Sequence, residues 1–191
     1  SIHYNGPLLV LNNSFTASSS EIFSGALKDY NRGLIVGEST FGKGTVQNLI
    51  DLERFFPNSN LQFGQLKITL AKYYRVNGGS TQKIGVEPHI EFPNIYDRSI
   101  YTENARKNAL EWDKIRDISF NNINYINEPL VDHLNTTFKN DVKSDSSFIN
   151  YLSFVEETKE NRKKKSISLT YSKRLAEKKE NDKKSNSLNT T

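Results

Sequence analysis

The 191 residues are enough for one hydrophobic core, or for one domain with an appendage. The chain contains no cysteine, which excludes disulfide bonds, thiolate metal sites and a cysteine nucleophile. Its net charge of +4 is concentrated in the tail, because residues 158–191 carry 11 Lys and Arg against 4 Asp and Glu.

The chain also contains no methionine and begins with serine. These features predict the C-terminal part of a longer protein, whose signal or anchor would lie upstream. No apolar run approaches the roughly 20 residues of a membrane-spanning helix.

The first predicted elements form a βαβ unit. Residues 6–11 hold an unbroken apolar run, which is typical of a strand buried on both faces. Residues 18–30 carry apolar side chains at helical spacing before a terminating glycine, and residues 34–36 form a second strand. Strand, helix and strand at this spacing predict a sheet with a parallel portion.

Two more strands and a turn complete the predicted sheet domain. Residues 45–52 alternate in polarity, and residues 66–76 are rich in β-branched and aromatic side chains. Residues 77–79 read Asn-Gly-Gly, which predicts a tight turn, and the extended residues 84–93 close the domain.

After residue 93 the chain is polar and mostly helical. Helices are predicted at residues 128–142, from residue 148 onward with Ser146 or Ser147 as its cap, and at residues 169–179. The sequence therefore predicts an α/β domain with a mixed sheet at residues 1–93 and a helical domain with a basic tail at residues 94–191.

A glycine-rich loop, GESTFGKGT at residues 37–45, comes within one residue of the phosphate-binding loop G-x-x-x-x-G-K-[ST]. A true phosphate loop ends in a hydroxyl residue and opens into a helix. Here that position holds Gly44, and the following residues alternate like a strand. The pattern disfavours nucleotide binding and leaves Lys43 for another role.

A serine cluster, TASSSEI at residues 16–22, lies at a predicted strand–loop–helix junction. The amides and the positive dipole end of a helix stabilise a developing oxyanion at such a junction. A serine nucleophile needs a base, and none of the three histidines, His3, His89 and His133, has a recognisable triad setting. Lysine is the other residue that commonly serves as the base, which makes Lys43 the candidate.

Lysine serves as a base near neutral pH only if its pKa lies well below the ordinary 10.4, and burial lowers a lysine pKa because it penalises the ammonium form. Gly42 and Gly44 allow close backbone approach, so we expect Lys43 in a packed site. Gln47 falls on the same predicted strand face, where its amide could orient the amine without adding charge.

Three motifs, in this order, resemble the C-terminal processing peptidases, and most closely their tail-specific protease branch. They are FTASSSEIF at residues 15–23, VGESTFGKGTVQ at residues 36–47 and KYYRVNGGSTQKIGVEPHI at residues 72–90. Residues 108–115 and 166–174 resemble the helical C-terminal domain of that branch more loosely.

The resemblance implies a ClpP/crotonase-like protease core, incomplete in this chain, and a Ser-Lys dyad endopeptidase that needs no metal or cofactor. By motif position, Ser18 is the nucleophile, Lys43 the general base and Gln47 the residue that orients the lysine. The backbone amide of Ser19 is an oxyanion donor. A second donor, from a glycine, and the peptide-recognising PDZ domain lie upstream in this family.

The resemblance also implies the substrates and the location. The substrates are proteins with accessible, apolar, poorly structured C-termini, some of them delivered by a lipoprotein adaptor. The implied compartment is the periplasm, with contact to the periplasmic face of the inner membrane as one role for the basic tail. No nucleic acid is expected.

Other interpretations of the same residues remain open. Ser18 and Glu21 also fit the capping box S-x-x-E, in which the serine is a structural cap, and Ser19 and Ser20 are rival nucleophiles. The S-x-x-K motif at residues 80–83 follows a turn and has no companion motifs, which favours a structural role.

The chain could also act without catalysis. In that interpretation it is a protein-binding fragment that uses the helical region and the basic tail. Nucleic-acid binding through the tail is least favoured, because no aromatic side chains interleave with its basic residues for base stacking. Trp112, the only tryptophan, is predicted to be a packing anchor of the helical region.

Overall fold

A parallel sheet crossed by one helix occupies the first part of the computed structural model, which describes residues 4–188 and side chains up to residue 183. Strand β1 (Leu9–Asn12), helix α1 (Ser19–Asp29) and strand β2 (Leu34–Gly37) form the predicted βαβ unit. Strand β2 pairs in parallel with β1 on one edge and with β5 (Ile90–Glu91) on the other. The strand order is β1-β2-β5.

The core of this part is centred on β2. All four residues of β2 are buried, as expected for a short apolar strand with neighbours on both edges. Val86 and Ile90 add the remaining buried apolar side chains of this core.

Strand β1 departs from the prediction of burial on both faces. Leu9 is 54% exposed and Leu11 is 71% exposed. Strand β1 forms the edge of the sheet, and within the described residues no strand pairs with its outer side. An apolar run predicts that a strand can be buried, but burial also requires a neighbour on each side, and no described strand covers the outer side of β1.

An antiparallel hairpin forms a second sheet. Strands β3 (Thr45–Asp51) and β4 (Gln65–Lys72) pair along their length, with a register shift between Val46 and Gln47. Strand β4 is shorter than the predicted strand of residues 66–76. Parallel and antiparallel pairing thus occur in two separate sheets of this α/β fold.

The predicted turn at residues 77–79 follows β4. The amide of Gly78 donates to the carbonyl of Arg75 at 2.8 Å, and Gly78 has a φ of 79°, which a residue with a side chain rarely adopts. Tyr74 and Ser80 form a bridge across the turn.

The helical region contains α3 (Glu128–Asp141), α4 (Ser146–Lys163) and α5 (Tyr171–Leu188), in addition to the single-turn helix α2 (Arg98–Tyr101). The predicted cap of α4 is wrong, because the carboxylate of Asp145 accepts the amide of Phe148 at 2.9 Å. An aspartate caps a helix as well as a serine does, so three consecutive candidates could not be separated by sequence. No helix among the described residues is long and apolar enough to span a membrane.

The chain divides into two compact units. The first runs to Phe92 and includes Tyr96–Asn127, and the second contains Pro93–Ile95 and resumes at Glu128. Residues 96–127, which belong to the predicted helical domain of residues 94–191, thus lie in the first unit of the structure.

Trp112 accordingly lies in the first unit of the structure. Its indole nitrogen donates to the carbonyl of Ser80 at 2.8 Å, and Ile115 donates to the carbonyl of Gly78 at 2.9 Å. These backbone bonds attach the segment to the turn after β4, a pairing between distant residues that periodicity does not indicate.

The imidazole of His89 accepts a hydrogen bond from the backbone of β2, where a neighbouring strand would offer a carbonyl. Its Nδ1 accepts the amide of Ile35 at 2.9 Å, and its own amide donates to the carbonyl of Ile35 at 2.7 Å. Burial, with a smaller effect from the nearby Lys28 charge, lowers the pKa of His89 to about 4. The neutral imidazole is therefore the form that fits the fold.

This pKa predicts an acid-sensitive stability. Because the folded-state pKa lies below the unfolded value near 6.5, the contribution of His89 is complete above pH 6.5 and is lost as the pH falls towards 4. We expect the free energy of unfolding, measured with urea, to fall by about 1 to 2 kcal/mol between pH 7 and 5. In His89→Asn, whose amide oxygen replaces the Nδ1 acceptor, this slope should flatten. His133→Asn, on the exposed face of α3, should keep it, and equal slopes in the two variants would contradict the assignment.

Candidate active site

Ser18 holds a backbone conformation that a serine rarely adopts. Its φ is 57° and its ψ is −117°, and it lies one residue before α1. Ser18 is the N-cap of α1 and forms a capping box with Glu21, but its backbone angles are not the extended ones of an ordinary helix cap. Ser19 and Ser20, the rival nucleophiles, are exposed residues in the first turn of the helix. Strain of this kind costs about 1 to 3 kcal/mol and is found mostly at functional sites.

Glu21 is fully buried and joins the serine loop to the lysine loop. Its Oε2 accepts the backbone amides of Ser18 at 2.8 Å and of Lys43 at 2.9 Å. Its Oε1 accepts the amide of Gly42 at 2.7 Å and the hydroxyl of Thr40. Two amides that share one oxygen are less than two hydrogen-bond lengths apart, so Glu21 holds the backbones of Ser18 and Lys43 side by side.

The capping interpretation of Glu21 describes only one of these four bonds. Its bond to the Ser18 amide is the reciprocal arm of a capping box. The other three donors come from the loop some twenty residues later, which a local motif does not indicate. Glu21 is a site residue that the sequence analysis missed.

Gly42 and Gly44 lie where side chains would not fit. A Cβ on Gly42, whose φ is 92°, would stand 2.8 Å from the carbonyl carbon of Lys83. A Cβ on Gly44 would stand 2.9 Å from the amide nitrogen of Gln82. The flanking glycines therefore let the Lys43 loop pack directly against residues 80–83, as the sequence analysis expected.

Gln82 holds the far end of the same loop. It is fully buried, its Oε1 accepts the amide of Gly44 at 2.9 Å, and its Nε2 donates to Glu103 at 3.1 Å. Three consecutive amides, from residues 42 to 44, thus donate to side chains, whereas a phosphate loop offers such amides to its ligand. Together with the strand that begins at Thr45, this arrangement agrees with the rejection of nucleotide binding.

Lys43 itself is half-buried. Within the described part of the chain, no hydrogen bond joins its amine to the hydroxyl of Ser18. The backbones of the two residues lie close together, and proton transfer would require their side chains to rotate towards each other. Catalytic hydrogen bonds are often long or absent without substrate.

Gln47 lies on β3, and among the described residues no hydrogen bond joins its side chain to Lys43. Its side chain is exposed, and its Nε2 lies 3.4 Å from the hydroxyl of Thr69 on the neighbouring strand. The prediction relied on strict alternation from Lys43 onward, but β3 begins only at Thr45 and a register shift follows Val46. An irregularity of this kind reorients the following side chains.

The amide of Ser19 opens the N-terminus of α1, an 11-residue helix. None of the described residues accepts a hydrogen bond from it, although the amides of Ser20, Glu21 and Ile22 all have backbone acceptors. This amide therefore combines an unused donor with the positive end of the helix dipole.

The S-x-x-K motif forms a turn, as the sequence analysis favoured. Ser80 is buried and its hydroxyl accepts the amide of Gln82 at 3.0 Å, while Lys83 pairs with Glu111. Neither side chain is arranged as a nucleophile–base pair.

The Glu21 bonds predict a large effect of a small substitution. Glu21→Gln keeps the shape but places the NH2 group of its amide, itself a donor, against backbone donors, so we expect the free energy of unfolding to fall by roughly 3 kcal/mol in urea denaturation. Glu53→Gln is the matched control, because Glu53 accepts two amides, of Phe63 and Gly64, through the single oxygen that glutamine retains. Equal, small effects of both substitutions would contradict the role given to Glu21.

Comparison with known proteins identifies the chain on both sides of residue 93. The model of peptidase family S41 matches residues 1–92, and that of the C-terminal domain of tail specific protease matches residues 96–190. The tail-specific protease of Haemophilus influenzae is 42% identical over 182 residues, which cover 94% of this chain and 26% of that protein. The chloroplastic C-terminal processing peptidase of Tetradesmus obliquus is 45% identical over 85 residues, 44% of this chain and 17% of the relative.

A solved photosystem II D1 C-terminal processing protease matches 51% of this chain and 23% of its own, with 40% identity and a TM-score of 0.39. The chain spans about a quarter of the length of the tail-specific protease that it matches. It belongs to peptidase family S41, a family of serine-type peptidases, within the tail-specific protease branch.

Proposed function

We propose that the protein containing this chain is a serine endopeptidase in which Ser18 is the nucleophile and Lys43 the general base. The observation that carries the proposal is the pair of bonds by which one buried carboxylate oxygen holds the amides of both residues, beside a strained Ser18 backbone. Membership of a peptidase family favours this role over a non-catalytic protein-binding fragment.

The proposed reaction begins with attack of the Ser18 hydroxyl on the scissile carbonyl. The neutral amine of Lys43 takes the hydroxyl proton, and the Ser19 amide donates to the oxyanion of the tetrahedral intermediate. Lys43 then gives the proton to the leaving amine, which departs and leaves an acyl ester on Ser18. Water, activated by the same amine, hydrolyses the ester and restores both groups.

Two other side chains are relevant to the choice of Lys43 as the base, His89 and Gln47. His89 is not a rival, because its Nδ1 is already occupied by the amide of Ile35. Gln47 remains in the proposal as the residue that orients the Lys43 amine. Its 3.4 Å contact with Thr69 is long for a hydrogen bond, so little is lost when the amide turns to the lysine.

The proposed substrates are proteins with accessible, apolar, poorly structured C-termini, and some are delivered by a lipoprotein adaptor. The name of the Haemophilus influenzae relative supports the tail specificity. We place the protein in the periplasm on the family resemblance, with the basic tail available to the inner membrane surface. A second oxyanion donor and a PDZ domain are expected in the longer protein.

Cleavage of an unfolded reporter with an apolar C-terminal tail tests the dyad in the full-length protein. Ser18→Ala and Lys43→Ala should each lower kcat by at least about 10³-fold, while binding of the reporter is retained.

Two substitutions serve as controls. Ser19→Ala keeps the proposed oxyanion amide, and Lys67→Ala removes an exposed strand lysine, so both should stay within about threefold of the unsubstituted protein. Cleavage that survives Lys43→Ala would rule out the lysine base.

A further inference from the structure

The hydroxyl of Tyr73 meets the carbonyls of both proposed catalytic residues. Tyr73 follows β4 directly, and its Oη lies 2.8 Å from the carbonyl oxygen of Lys43 and 3.2 Å from that of Ser18. The hydroxyl of the fully buried Thr81 donates to the same Oη at 2.8 Å. Three segments that are distant in sequence thus converge on one phenol.

The donation from Thr81 sets the direction of the phenol hydrogen. Because Thr81 occupies a lone pair of Oη, the single hydrogen of Tyr73 points to the carbonyl side. The shorter distance makes Lys43 the main acceptor, and Ser18 shares the same hydrogen. Burial, and to a lesser extent the negative charge of Glu21, raise the pKa of Tyr73 to about 12, so the phenol remains a neutral donor.

The Ser18 carbonyl belongs to the peptide group whose N–H is the Ser19 amide. A peptide group is planar, with C=O and N–H pointing in opposite directions, so a bond to the carbonyl fixes the direction of the amide. A donor on the carbonyl also polarises the group and strengthens the amide as a donor. The carbonyl already accepts the amides of Glu21 and Ile22 inside the helix turn, and Tyr73 reaches it from outside that turn.

We propose that Tyr73 is a positioning residue that aims the Ser19 amide at the oxyanion and ties this peptide to the backbone of Lys43. The inference rests on the proposed function, and it adds a residue beyond the proposed nucleophile, base and oxyanion donor. Tyr73 itself touches neither the substrate nor the transferred proton. Its contribution should grow as negative charge develops opposite the Ser19 amide, and should therefore be seen in kcat.

Tyr73→Phe and Tyr74→Phe form a matched pair for the test, made in the full-length protein. Each removes one hydroxyl from adjacent tyrosines. The Tyr74 hydroxyl donates to Asp113 at 2.9 Å, away from both carbonyls. With the apolar-tailed reporter, Tyr73→Phe should lower kcat by about 10- to 100-fold with KM within about twofold, and Tyr74→Phe should change neither by more than about twofold.

A peptide boronate separates positioning from general structural damage. Its tetrahedral adduct with the nucleophile places an oxygen at the oxyanion position. Tyr73→Phe should weaken boronate inhibition by a factor similar to its loss in kcat. Binding of the reporter should be unchanged in the inactive Ser18→Ala background. Thr81→Val, which frees the phenol hydrogen to rotate, should lower kcat in the same direction by about threefold and gives a second test if Tyr73→Phe folds poorly.

The outcomes distinguish the two proposals. If Tyr73→Phe and Thr81→Val keep the kcat of the unsubstituted protein, the role of Tyr73 is overturned. The same holds if Tyr73→Phe weakens boronate inhibition and reporter binding by the same factor. In both cases Ser18→Ala and Lys43→Ala would remain inactive, so the proposed function would stand. Activity in Ser18→Ala or Lys43→Ala would overturn the proposed function, and the role of Tyr73 with it.

Discussion

The buried carboxylate of Glu21 is the interaction on which the arrangement of the site depends. A carboxylate without solvent needs donors on both oxygens, and leaving it without them would cost several kcal/mol. Here the donors are one amide from the serine loop, two amides from the lysine loop and a threonine hydroxyl, and the two loops follow β1 and β2. A fold that buries Glu21 must therefore bring these loops together, so the bonds that stabilise the fold also hold the two proposed catalytic residues near each other.

The lysine loop is also held from its other side, where its backbone packs closely against residues 80–83. Gly42 and Gly44 bring the lysine loop against residues 80–83, and Gln82 closes it through the amide of Gly44. The turn of residues 80–83 is in turn fixed by Thr81 against Tyr73 and by the indole of Trp112. The loops are thus held by side chains of other segments, and among the described residues none of the hydrogen bonds that hold them uses the Lys43 amine.

Patterns with a local cause were predictable from sequence. The βαβ unit follows from an apolar run, a helical period and a terminating glycine, and the rejection of a phosphate loop follows from Gly44 and the strand after it. What the sequence could not supply are pairings between distant residues: the three donors that Glu21 takes from the lysine loop, the phenol of Tyr73 between two carbonyls, and the attachment of residues 96–127 to the first unit. Strict alternation assumes a regular strand, so the register shift between Val46 and Gln47 was not predictable either.

The central claim is that Ser18, among three consecutive serines, becomes acylated with the help of Lys43. The most direct measurement treats the full-length protein with a β-lactone, which a nucleophilic serine opens to a stable ester, and locates the adduct by mass spectrometry of the peptide containing residues 15–23. We expect one adduct, on Ser18, formed at least about 10²-fold more slowly in Lys43→Ala. An adduct on Ser19, on Ser20 or outside this peptide, or an unchanged rate in Lys43→Ala, would contradict it.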